Sequence, residues 1–120
     1  MKALICGDRN WTDKETIRQY LSELKAAGYT EIIEGGARGA DTIAKEEALK
    51  LHLSTNHFPA QWDKYGRSAG YIRNRVMLDQ KPDIVVGFHK DIANSKGTAD
   101  CLKEAKRRGI ITVLIEYKTN

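Results

Sequence analysis

The sequence predicts an α/β fold: a three-layer sandwich with a five-stranded parallel sheet of order 3-2-1-4-5 and helices on both faces. Three observations carry this. Short apolar runs alternate with helix-patterned segments along the chain, as parallel strands joined by right-handed crossovers require. Two of those runs, Ala3-Leu4-Ile5-Cys6 and Ile84-Val85-Val86, are continuously apolar, as strands covered on both faces are. Two glycine-rich corners, Gly35-Gly36-Ala37-Arg38-Gly39-Ala40-Asp41 and Ser95-Lys96-Gly97-Thr98-Ala99-Asp100, each stand between an apolar run and a helical pattern.

The first strand is 3–6 and ends at Gly7. Thr12-Asp13-Lys14-Glu15 has the form of a capping box, with Thr12 as cap. Behind it Ile17, Tyr20, Leu21 and Leu24 repeat at helical spacing until Gly28. Residues 29–34 form the second strand and deliver the chain to the first glycine corner. A helix from 41 to about 51 follows, with a narrow Ala40, Ala44, Ala48, Leu51 stripe suited to close packing on a sheet. Residues 54–59 are polar enough for an edge strand. The stretch 61–70 reads as irregular and leads to a helix over 71–80 whose Ile72, Val76 and Met77 face the core, with Pro82 as the stop. Residues 83–89 form a buried strand, 90–96 a loop, 98–108 a helix capped by Thr98, and 110–115 the last strand. No linker or repeat interrupts this series, so residues 1–120 read as a single domain.

In such sheets a ligand lies beyond the carboxyl ends of the strands, where the strand order reverses. Here that point falls between strands one and four. The segments ringing it hold nearly all the unusual residues of the chain: Gly7, Asp8 and Arg9; the first glycine corner; the loop 60–66; and His89 through Thr98. A glycine turn opening a helix offers amides and the positive end of the helix dipole, which suits phosphate. The first corner is neither GxGxxG nor GxxxxGK[ST], so it does not predict an ATP-hydrolysing loop. Arg38, Arg73 and Lys96 supply positive charge. Asn74 brings both a donor and an acceptor, and Asp8 or Asp41 can take ribose hydroxyls. Trp11, Trp62 and Tyr65 sit in or beside post-strand loops, where they either stack on a base or cover the edge of the core. His89, at the rim, is the histidine placed to act as an acid or base.

Composition bounds the rest. The 120 residues carry 20 basic and 16 acidic side chains, net +4, with 41% hydrophobic and 30% charged residues. The basic residues are scattered apart from Lys103, Lys106, Arg107 and Arg108 near a helix end, so nucleic acid is not the expected partner. No apolar stretch approaches the roughly 20 residues of a membrane span, and the start of the chain lacks the shape of a signal peptide. A cytoplasmic location is expected. Cys6 and Cys101 belong to no ligand spacing and read as small core residues. Neither a metal nor a cofactor is predicted.

Five ordered motifs resemble one family: Gly7-Asp8-Arg9-Asn10-Trp11-Thr12-Asp13, the first glycine corner, residues 62–70 from Trp62 to Gly70, Arg73-Asn74-Arg75-Val76-Met77, and Lys96-Gly97-Thr98-Ala99-Asp100. Together they resemble the SLOG superfamily, and closely its YspA-related, YpsA-like branch. The resemblance implies a Rossmann-like fold, a site for nucleotides or nucleotide-derived molecules such as ADP-ribose relatives, and homodimers or higher assemblies. The related Lonely Guy phosphoribohydrolases carry Arg-Lys-x-x-Met and Pro-Gly-Gly-x-Gly-Thr-x-x-Glu motifs. Here Arg73 to Met77 matches the first apart from Asn74. The catalytic glutamate position of the second holds Cys101, with Asp100 one residue away, about 100° around a helix.

The expectation is therefore a binding protein that senses or sequesters a phosphorylated nucleotide derivative, an ADP-ribose or cyclic ADP-ribose relative, in the manner of a phage anti-defence protein. Its expected ligand contacts are Gly7, Asp8, Arg9, Trp11, Gly35, Gly36, Ala37, Arg38, Gly39, Asp41, Tyr65, Arg73, Asn74, His89, Ser95, Lys96, Gly97 and Thr98. One alternative is a nucleoside monophosphate N-glycosidase using Arg73 with Asp100 or Asp41. The other is nucleic-acid binding in the manner of the DprA relatives.

Overall fold

The computed structural model describes residues 1–116. Five parallel strands, β1 (Lys2–Gly7), β2 (Glu31–Glu34), β3 (Ser54–His57), β4 (Ile84–Phe88) and β5 (Ile111–Ile115), lie in the order β3-β2-β1-β4-β5. Between them run α1 (Lys14–Ala26), α2 (Ala40–Lys50), α3 (Trp62–Tyr65), α4 (Ala69–Asp79) and α5 (Gly97–Arg107). This is the parallel, doubly wound α/β sandwich that the alternating pattern predicts, and the reversal of strand order falls between β1 and β4.

Side chains along a strand alternate between its faces, and β1 divides the core accordingly. Ala3 and Ile5 pack with Ile17, Leu21, Ile32, Ala44 and Phe88 beneath α1 and α2. Leu4 and Cys6 pack with Ile33, Met77, Leu78, Cys101 and Leu102 beneath α4 and α5. The alanine stripe on α2 is fully buried at Ala40, Ala44 and Ala48.

Several boundaries differ from expectation, each for a local reason. Asp13, not Thr12, caps α1: its Oδ1 accepts the Thr16 N–H at 3.2 Å, so the anticipated capping box does not form. At α5 the expected cap, Thr98, is a buried first-turn residue. Ser95 takes that role, its Oγ accepting the N–H groups of Thr98 at 3.1 Å and Ala99 at 3.2 Å. The stretch expected to be irregular holds α3 and a 3-10 turn over Gly66–Ser68, and α4 begins at Ala69. Val76, expected in the core, is 41% exposed. Met77 is buried as expected, joined by Asn74 and Leu78 in an i, i+3, i+4 set phased by the polar contacts of Asn74 described below.

Gly7 fixes how the sheet meets α2. A Cβ there would collide with the Phe88 carbonyl oxygen and the Ala40 Cβ. The missing side chain thus lets the start of α2 sit directly over the ends of β1 and β4. Gly7→Ala is expected to lower unfolding stability by about 1–3 kcal/mol through overpacking, measured by urea denaturation. An unchanged midpoint would contradict this packing.

Candidate functional site

Beyond the carboxyl ends of β1 and β4 lies a cavity of about 420 Å³. Of the residues singled out by sequence, Gly7, Asp8, Arg9, Ala37, Asp41, Arg73, Asn74, His89, Ser95, Lys96, Gly97 and Thr98 line it. Cys6, Asn10, Met77, Asp91 and Asn94 join them. An adjoining cavity of about 450 Å³ shares Arg9, Ala37, Arg73, Lys96 and Gly97 and adds Gly35 and Gly36. Neighbourhoods near residues 8, 37, 73 and 97 therefore meet in one place.

Four expected contacts lie elsewhere. Trp11 is 2% exposed, packs edge-on against Phe88 at 5.6 Å, and donates its Nε1–H to the Asp13 carbonyl at 2.9 Å. It is a core residue. Arg38 is exposed and lines neither cavity. Gly39 serves the backbone: its φ is +73° and a Cβ would collide with the Asp8–Arg9 backbone. Tyr65 borders a third hollow, beside His57 and Phe58, that meets the second cavity at Pro59, Ala60 and Arg73, with the Lys64 ammonium 5.1 Å from its ring centre.

The two glycine corners are joined by two consecutive side chains of α4. Arg73 Nη1 donates to the Gly35 carbonyl at 2.6 Å, and its Nε donates to Asn74 Oδ1 at 3.1 Å. Asn74 Nδ2 donates to the Gly97 carbonyl and to Asp100 Oδ2, both at 3.1 Å. Gly35 admits this arrangement because a Cβ would overlap the Arg73 guanidinium. Asp100 is held from outside the cavity by the Arg75 fork, at 3.0 and 3.2 Å. Its proposed part in catalysis is not supported by this placement.

Two amides of the first corner are engaged by carboxylates. Gly36 donates its N–H to Glu34 Oε2 at 2.6 Å, and Ala37 donates to Asp41 Oδ2 at 3.2 Å. Asp41 thus reaches back into the turn rather than capping α2 from outside. The positive side chains lining the cavities are Arg9, Arg73 and Lys96, shared by both, and Arg67 in the second.

Burial pushes the Asp41 carboxyl up from 3.8 to about 7. Arg73 and the Ala37 amide pull it down, and Glu34 adds to the rise. Its proton is therefore exchangeable near neutral pH. The hydrogen bond with Cys101, reinforced by burial, raises the Cys6 thiol well above its ordinary value, so Cys6 stays a thiol. Among the described residues no cluster of three His, Cys, Asp or Glu side chains suits a metal ion. His89 Nδ1 accepts the Asp91 N–H at 3.0 Å, leaving Nε2 as the protonated nitrogen of the neutral ring.

Sequence reading missed Glu34 and His57. Glu34 is fully buried, and its Oε1 meets His57 Nδ1 across the β2–β3 pair, where the two residues are register partners. The available signal was a carboxylate closing an apolar strand immediately before two glycines.

The sequence model of the family described as "YspA, cpYpsA-related SLOG family" matches residues 1–65. The chain is also similar to the Gene 61 protein of Mycobacterium phage D29, at 34% identity over 116 residues, with 91% of each chain covered.

Two outcomes follow from this geometry. Asn74→Ala removes the donor to the Gly97 carbonyl and Asp100 and the acceptor for Arg73. It should cost about 1–3 kcal/mol in urea unfolding, and an unchanged stability would contradict the bridge. Folded Asp41 holds its proton up to about pH 7, whereas the unfolded chain releases it near 3.8. Its contribution to stability therefore falls as pH rises through that window. Asp41→Asn should flatten this slope and compare more favourably with the unsubstituted protein at pH 8 than at pH 4. Parallel slopes for the two proteins would count against the raised value.

Proposed function

The chain belongs to the YspA, cpYpsA-related SLOG family, and from that membership we propose that it binds a phosphorylated nucleotide derivative of the ADP-ribose class and holds it without cleaving it. A nucleotide-related function follows at the level of the family; the ligand class and the holding role are this reading's own.

The observation that carries the reading is the shared rim of the two cavities, where Arg9, Arg73, Lys96 and Gly97 meet. Three cations converge there on a glycine that the fold itself does not require. Gly97 lacks a positive φ, and a Cβ on it would meet no protein atom within 4 Å. By contrast, Gly7 and Gly35 are needed for close packing and Gly36 and Gly39 adopt positive φ. A glycine needed for neither purpose, at a helix start beside cations, is suited to the close approach of a phosphate. Asp8, Asp41 and Asn94, which line the first cavity and not the second, offer acceptors and donors for sugar hydroxyls.

Two features favour holding over hydrolysis. Cys101, at the position of the Lonely Guy catalytic glutamate, is fully buried, and Asp100 is turned to Arg75. A sensing or sequestering role fits such a site. Two buried free thiols fit a reducing cytoplasm. A homodimer is the proposed assembly, supported by the edge position of β5 and the exposure of Ile111 upon it. No helix among the described residues is long and apolar enough to cross a membrane.

One observation favours a second reading, N-glycosidic hydrolysis. Asp41, protonated or ionised near neutral pH and close enough to Arg73 to feel its charge, has the character of a general acid or base. Incubation with ADP-ribose and with AMP, followed by anion-exchange separation, distinguishes the two. Intact ligand is expected, and release of free adenine would overturn the holding role. Calorimetric titration should show Gly97→Ala binding ADP-ribose roughly five- to a hundred-fold more weakly, since an added methyl crowds the phosphate by about 1–3 kcal/mol, with unfolding stability not reduced. Equal affinity would remove Gly97 from the site.

A further inference from the structure

With Trp11 in the core and Tyr65 in a neighbouring hollow, Trp62 is the one of the three aromatic residues expected to stack on a base that lines the second cavity. Beyond the rim cations Arg9, Arg73 and Lys96, its walls carry Arg67 and the rings of Trp62 and Tyr71. Trp62 is 57% exposed and Tyr71 39%, so neither ring is spent on the core. The two cavities share Arg9, Arg73 and Lys96 and differ in their carboxylates. Among the described residues, the wall bearing Trp62 and Tyr71 includes four cations and no carboxylate. The other cavity has Asp8, Asp41 and Asp91.

Resting on the proposed nucleotide-derivative ligand, we infer that the Trp62–Tyr71 cavity is a nucleobase subsite and that the ligand carries its phosphates in the middle rather than at one end. The base stacks on Trp62 and Tyr71, a pyrophosphate lies across Arg9, Arg73 and Lys96, and a second sugar enters the carboxylate-bearing cavity. Two cavities of similar volume meeting at the cations give this order. A mononucleotide, whose phosphate is terminal, would fill only one of them. Stacking on an open aromatic face tolerates any base and gains strength from neighbouring arginines. A nucleic-acid strand fits less well, because a polyanion continuing past the rim would run into Asp8, Asp41 and Asp91.

Trp62→Ala, Trp62→Phe and the unsubstituted protein would be titrated with ADP-ribose and with ribose 5-phosphate, following both heat and tryptophan fluorescence. Losing the stack should weaken ADP-ribose by roughly ten- to a hundred-fold in Trp62→Ala. Ribose 5-phosphate should be unaffected, and Trp62→Phe should recover most of the loss. ADP-ribose, but not ribose 5-phosphate, should quench the fluorescence, and the quench should vanish in Trp62→Phe because the remaining Trp11 is buried. If ADP-ribose binds and Trp62→Ala leaves its affinity unchanged, or weakens both ligands equally, the subsite is wrong while the proposed function stands. If the unsubstituted protein binds neither ligand, or prefers a single-stranded oligonucleotide to ADP-ribose, both readings fall.

Discussion

The site depends on one pair of neighbouring side chains. Arg73 hydrogen-bonds the Gly35 carbonyl, Asn74 hydrogen-bonds the Gly97 carbonyl, and the two are linked to each other. Both corners lie at strand ends on opposite sides of the topological switch point, and nothing in a parallel sheet alone would fix the distance between them. A rigid helix does so here, with the pair in its first two turns. Asn74 is buried and satisfied at both ends of its amide, so breaking this connection would leave polar groups unpaired. The cost of disruption is what makes the spacing definite.

The same economy shapes the electrostatics. Glu34 and Asp41 are buried carboxylates that each accept an amide of the first glycine corner. They hold the turn but consume donors that would otherwise face an anion. Positive charge therefore reaches the cavities through side chains, and one face of the Arg73 guanidinium is committed to Gly35. The two carboxylates also repel, which contributes to the retained proton on Asp41 near neutral pH. A phosphate bound near Arg73 would weaken the pull that lowers Asp41, and so would couple anion binding to protonation at this turn.

The architecture was largely legible because it rests on period and punctuation. Buried parallel strands read as continuous apolar runs, and glycines mark the turns that follow them. Arg73, Asn74 and the Gly97 corner were also readable, since the switch point of the sheet predicts which loops converge. What escaped the sequence depends on fine phase and register. Trp11 follows a loop, but its backbone N–H donates to the Asp8 carbonyl and the ring packs back onto Phe88. Asp100 and Cys101 are adjacent, and only the rotation of α5 decides that one meets Arg75 while the other enters the core. Glu34 and His57 lie far apart in sequence and meet because β2 and β3 pair in that register. Trp62 was readable as a stacking candidate, but Tyr71 joins it on one cavity wall only through the fold.

The most direct measurement is a crystal structure of the protein with ADP-ribose. The account places the phosphate oxygens within hydrogen-bonding distance of Arg73 and Lys96, against the backbone at Gly97, with density for the molecule in both cavities. Phosphates bound away from that rim, or a ligand confined to a different face of the sheet, would contradict it.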